Sequence, residues 1–86
     1  MNIYVGNLDF KVDEEDLKGI FEEYGNVSEA KIITDKYNGR SKGFGFVVMD
    51  NVKDAKIAIS ELSGATLKNR QIVVNEARAR KKYSDE

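Results

Sequence analysis

Tyr4, Lys42, Phe44 and Phe46 are the residues of this 86-residue chain whose types and spacing suggest chemistry. Three of them alternate with other residues in Lys42-Gly43-Phe44-Gly45-Phe46-Val47-Val48-Met49, whose aromatic and branched side chains favour a strand. Successive side chains of a strand point to opposite faces, so Lys42, Phe44 and Phe46 share one face and Val47 and Met49 the other. Flat rings beside a cation make a platform on which unpaired bases can stack while the ammonium group meets a phosphate.

Other chemistries find little material. The chain has no His and no Cys, so the usual general base, thiol nucleophile and zinc ligands are missing. No catalytic residue, metal or cofactor is assigned, and the expectation is a protein that is not an enzyme. The acidic run Asp13–Asp16 reads as carboxylates favoured by a helix N-terminus, not as a metal site. Asp35 to Gly39 fails as a calcium loop because Tyr37 stands at a ligand position. Gly39 to Gly43 lacks the spacing of a phosphate-binding loop.

The elements that must position the rings follow from periodicity. Residues 2–7 read as a strand with Ile3 and Val5 on one face and Tyr4 on the other. Asp13, with Asp16 three residues on, forms an approximate capping box for a helix whose stripe is Leu17, Ile20, Phe21 and Tyr24. Gly25 stands where a glycine cap belongs. Ser28 to Thr34 reads as a second strand, Ala30 and Ile32 inward, Lys31 and Ile33 outward. The Asn38-Gly39 pair suits a hairpin into the 42–49 strand. A second helix is expected from about Lys53 to Leu62, capped by Asp50 or Asn51, with Ala55, Ala58, Ile59 and Leu62 as its stripe and Gly64 at its end. Gln71 to Asn75 reads as the last strand, Ile72 and Val74 inward, Gln71, Val73 and Asn75 outward. Phe10 and Met49 are assigned to the core.

The order β-α-β-β-α-β predicts an α+β fold, a two-layer ferredoxin-like sandwich with a four-stranded antiparallel sheet and two helices on one face. The inward set is then aliphatic or Met, which leaves Tyr4, Phe44 and Phe46 facing water. A contiguous aromatic patch of that kind needs a function, whereas a single exposed ring does not.

Composition sets the bounds. One domain is expected over residues 1–78, with a charged tail over 79–86. A domain this small buries only roughly 60–65% of its unfolded surface. Charged residues at 34% beside 41% hydrophobic residues fit a folded, soluble domain, and no apolar run is long enough to span a membrane. The formal charge of −1, taken alone, opposes an anionic partner. Its distribution answers the objection. Asp13, Glu14, Glu15, Asp16, Glu22, Glu23 and Glu29 crowd one segment, whereas Lys31, Lys36, Arg40 and Lys42 fall in a second. Lys68, Arg70, Arg78, Arg80, Lys81 and Lys82 fall in a third. Acidic groups on the far side are screened beyond a Debye length of about 8 Å.

The octamer resembles the longer signature of the RNA recognition motif family at every place except its last, where Met49 replaces an aromatic. Ile3-Tyr4-Val5-Gly6-Asn7-Leu8 resembles the family's companion hexamer, and the likeness spans about residues 2–78. The resemblance implies single-stranded RNA as partner, or single-stranded DNA, bound by a monomer on the open sheet face. It implies that Tyr4 and Phe44 stack under bases, that Phe46 packs against riboses, and that Lys42 pairs with a phosphate. Asn7, Lys31, Gln71 and Asn75 would reach base edges, and Arg40, Arg78, Arg80, Lys81 and Lys82 the backbone. Small bacterial and organellar members share this free-standing layout, so the cytoplasm is expected, with the nucleus left open.

Two other classes have a claim. A protein-interaction module would use the Glu- and Asp-rich helical face, but it has no need of the full aromatic set. A small enzyme on this scaffold, similar to an acylphosphatase, would need a glycine-rich anion loop with a paired Arg and Asn, which the chain lacks.

Overall fold

The computed structural model describes residues 1–34, 37, 39 and 41–77, with the side chains of Ser41 and Lys42 outside that description. In chain order the elements are β1 (Asn2–Gly6), α1 (Glu14–Glu22), β2 (Val27–Thr34), β3 (Ser41–Met49), α2 (Val52–Leu62), β4 (Thr66–Leu67), β5 (Arg70–Gln71) and β6 (Val73–Ala77).

Both helices begin where their side chains can satisfy free amides. Asp13 Oδ1 accepts from the Asp16 N–H at 2.8 Å, and the Asp13 N–H donates to Asp16 Oδ2 at 3.3 Å, so the expected capping box is present. Asn51, not Asp50, caps α2, its Oδ1 accepting from the Asp54 N–H at 3.0 Å. At the other end of α2, Ser63 leaves the helix and Gly64 turns left-handed at φ 83°. The glycine cap expected at Gly25 is not formed. Glu23 ends α1 in a right-handed conformation, and Gly25 is not among the left-handed glycines. A side chain at Gly25 would collide with Cβ and the carboxylate of Asp54, so close approach to α2 is what calls for glycine there.

β2, β3, β1 and β6 lie in that order in one antiparallel sheet. Inward positions alternate as their hydrophobicity dictates: Ile3, Val5, Val47, Met49 and Val74 are all buried. Leu17 and Phe21 of α1 and Ala55, Ala58 and Leu62 of α2 pack with them in one cluster, so both helices cover the same face. Leu8, Val12 and Ile72 complete it. No polar side chain among the described residues is buried there. The smallest extent, 18 Å, fits one sheet plus one helix layer.

Two further expectations need correction. The last strand is not the unbroken Gln71–Asn75. Arg70–Gln71 pairs with Thr66–Leu67 in a separate two-stranded ribbon, and the sheet strand begins at Val73. Ile72 is diverted between them, because its N–H donates to the Ala65 carbonyl at 2.9 Å and its carbonyl accepts from the Gly64 N–H at 3.0 Å. Lys68 and Asn69 turn the ribbon with φ of 49° and 70°, the double left-handed conformation of a tight hairpin. Phe10, expected in the core, is 65% exposed. Leu8 and Val12 on either side of it fill the interior instead, and Phe10 faces Asp13, Glu14 and Glu15 across a cavity of about 420 Å³.

Candidate nucleic-acid interface

Alternation puts the residues between the core positions on the uncovered face. The register then fixes who neighbours whom. Lys31 lies opposite Phe46, Phe46 opposite Tyr4, and Tyr4 opposite Asn75, so one row crosses all four strands. Three of these four residues were expected to meet a base and the fourth to meet riboses, and the fold lines them up. The adjacent row on the same face is Glu29, Val48, Asn2 and Ala77.

Tyr4, Phe44 and Phe46 form one aromatic cluster. Ring centroids are 5.9 Å apart for Tyr4–Phe44, 6.0 Å for Tyr4–Phe46 and 6.1 Å for Phe44–Phe46. The planes are tilted by 32° in the first pair and stand edge-on in the third. Such tilted and edge-to-face pairs are favoured by the ring quadrupoles. All three residues are half-buried.

Two glycines make this surface possible. The Tyr4 ring lies over Gly6, where any Cβ would collide with it. Gly43 takes φ 87° where the β2–β3 register shifts, and its carbonyl accepts from the Leu8 N–H at 2.8 Å. An L-residue would be strained at that angle. The bond ties the start of the aromatic strand to the end of β1.

The remaining expected contacts divide. Lys31 and Asn75 are exposed on the sheet face. Asn7, left-handed at φ 56°, is already engaged: its Nδ2 donates to the Gln71 carbonyl at 2.6 Å, and its Oδ1 accepts from Arg70 Nη2 at 2.8 Å. Gln71 is exposed, but it belongs to the small ribbon, to which Asn7 fastens the end of β1. Arg40, Arg78, Arg80, Lys81 and Lys82, and the side chain of Lys42, lie outside the described residues.

Sequence reasoning passed over Asn2 and Glu29 as site residues. With Lys31, Phe46 and Val48 they line a cavity of about 290 Å³ on the open face. The signal was available, since each sits two residues before a residue already placed on that face. Arg70 was counted only as charge, although it holds Asn7.

Comparison with known proteins agrees with this geometry. Residues 3–73 match the model of the RNA recognition motif family. The chain is 45% identical over 80 residues to a putative RNA-binding protein, RbpD, of Nostoc sp., covering 93% of this chain and 85% of that protein. It is 51% identical over 78 residues to the chloroplastic RNA-binding protein CP29B of Arabidopsis thaliana, covering 91% of this chain. The match spans only 27% of that longer relative's length. Among solved structures, the crystal structure of the RNA-binding protein PG1 superposes with a TM-score of 0.90 at 51% identity, covering 93% of this chain and 96% of that one.

Proposed function

The chain belongs to the RNA recognition motif family, and from that premise we propose that it binds single-stranded RNA across the open face of its sheet. The observation that carries the proposal is the cluster of Tyr4, Phe44 and Phe46, three rings within 6.1 Å of one another on the side of the sheet that the helices leave bare. The inner side of the sheet is already filled by Ile3, Val5, Val47, Met49 and Val74 beneath the helices, so the rings are not needed for the core.

Stacking supplies the affinity that does not depend on sequence, about 1–3 kcal/mol per base. The rings lie about one nucleotide step apart, so successive bases of an extended strand can each meet one. The resemblance gives the second base to Phe44 and the riboses to Phe46. The register gives a reason to exchange them. Phe46 is the direct partner of Tyr4 and has Lys31 beside it, so a base there meets polar side chains at its edge. Phe44 lies farther along β3, toward the β2–β3 connection, where the sugar–phosphate chain would pass. Asn75 borders the base on Tyr4. Lys42 meets a phosphate, and Arg40, Arg78, Arg80, Lys81 and Lys82 add charge along the strand's path. Asn7 keeps one N–H and one lone pair for the RNA beyond its two internal bonds. Two or three stacked bases and a few phosphates correspond to roughly micromolar binding.

Titrating a randomised short single-stranded RNA by fluorescence anisotropy tests the proposal. Micromolar, salt-sensitive binding is expected, weaker for single-stranded DNA of matched sequence if 2′-hydroxyls are read. A folded protein that binds no single strand even at low salt would overturn it. One observation favours a second activity. Exposed Phe10, set among Asp13, Glu14 and Glu15, offers an apolar contact with an acidic rim on the α1 side, suited to a basic protein segment.

A further inference from the structure

The cavity beside Phe46 contains a group that a phosphate-binding surface should avoid. Glu29 brings a carboxylate onto the open face, one row from the aromatic pair, where it repels a polyanion. Neither Glu29 nor Lys31 has a side-chain hydrogen-bond or ion-pair partner among the described residues. Two residues apart on one strand, they line the same cavity with Phe46 as one wall and Val48 and Asn2 beside it. An opposite pair of charges, a stacking ring and an apolar side chain together form a site for a flat, polar-edged ring.

We propose that this cavity selects guanine, with Glu29 and Lys31 reading the edge of the base that stacks on Phe46; the inference rests on RNA binding at this face. The argument is one of donors and acceptors. A carboxylate accepts through two oxygens and donates nothing. Guanine alone among the four RNA bases presents two adjacent N–H donors, N1–H and the N2 amino group, on its Watson–Crick edge. Its third group there, O6, is an acceptor and suits the ammonium of Lys31. Cytosine and adenine place a ring-nitrogen acceptor beside their single amino group. Uracil has one N–H between two carbonyls. In each of those cases a lone pair would face the Glu29 carboxylate. The repulsion that Glu29 adds for every strand is thus offset only when guanine occupies the cavity. Glu29 thereby acts as a specificity residue and Lys31 as its complement.

The test uses fluorescent oligouridylates with one central G, A, C or U, titrated against the wild type and Glu29→Gln. Wild type should bind the G probe roughly 10-fold more tightly than the A or U probe, in line with a bidentate base contact. Inosine in place of guanine removes the N2 amino group and should fall between. Glu29→Gln should reduce the G preference to about 2-fold or less while binding the A and U probes at least as tightly as wild type does, since a repelling charge is gone. This crossed pattern separates specificity from any loss of fold, and the retained A and U binding reports that the variant is folded. RNA binding with no preference among the four probes, a preference for cytosine, or a G preference unchanged in Glu29→Gln would overturn the guanine site and leave the RNA platform standing. Failure of wild type to bind any probe would overturn the platform itself, and the site with it.

Discussion

The two faces of the β1–β3 pair are built from alternate residues of the same strands, yet they differ in every physical respect. Ile3, Val5, Val47 and Met49 are fully buried beneath the helices. Tyr4, Phe44 and Phe46, interleaved with them, are half-buried, with ring centroids within 6.1 Å of one another. The inner face is held by area removed from water, roughly 1.5–3 kcal/mol for each large side chain. The outer face keeps unspent apolar area and gains it only when something flat covers it. One strand pair can therefore carry stability and recognition as nearly separate properties, and substitutions should separate them.

The largest effect belongs to the inner side. Phe21→Ala empties the largest fully buried side chain, and urea unfolding should show a loss of about 3–5 kcal/mol, much of what so small a domain has. RNA affinity should fall only as far as the folded fraction falls. An affinity loss in fully folded protein would break the separation of the faces. On the outer side, Phe46→Ala should weaken RNA binding by about 1–3 kcal/mol, while unfolding changes by no more than about 1 kcal/mol from lost cross-strand ring contacts. Phe44→Ala should cost less affinity than Phe46→Ala; the reverse order would return the second base to Phe44. The smallest change expected is in Lys42→Gln, which should make the slope of log affinity against log salt shallower by about 0.7, one phosphate contact on a single strand. An unchanged slope would remove Lys42 from the phosphate path.

Much of the fold was readable because several local signals agreed. Asp13 and Asp16, the stripe Leu17–Ile20–Phe21–Tyr24, and the alternation of Ile3, Tyr4 and Val5 each pointed to the element that forms. The misses share one cause, which is that tertiary contacts decided between local options. Gly25 had the composition of a cap, but the approach of Asp54 determined its use. Gln71 to Asn75 alternated well enough for one strand, but the backbone bonds of Ile72 to Gly64 and Ala65 split it. Phe10 is apolar, and only the competing burial of Leu8 and Val12 shows that the core had no room for it. At the site, the rings were visible from sequence because a strand's period is short. The row Lys31–Phe46–Tyr4–Asn75 was not, since strand order and register are long-range properties. The cavity formed by Asn2, Glu29 and Lys31 depends on the same register.

The central claim is that RNA lies on the sheet and leaves the helical side untouched. Mapping amide chemical-shift changes while titrating short single-stranded RNA into the labelled protein tests it most directly. The account predicts changes centred on Tyr4, Lys31, Phe44, Phe46 and Asn75, with Glu14–Glu22 and Val52–Leu62 nearly unmoved. Changes concentrated on those two helices or around Phe10, with the aromatic strands silent, would contradict it.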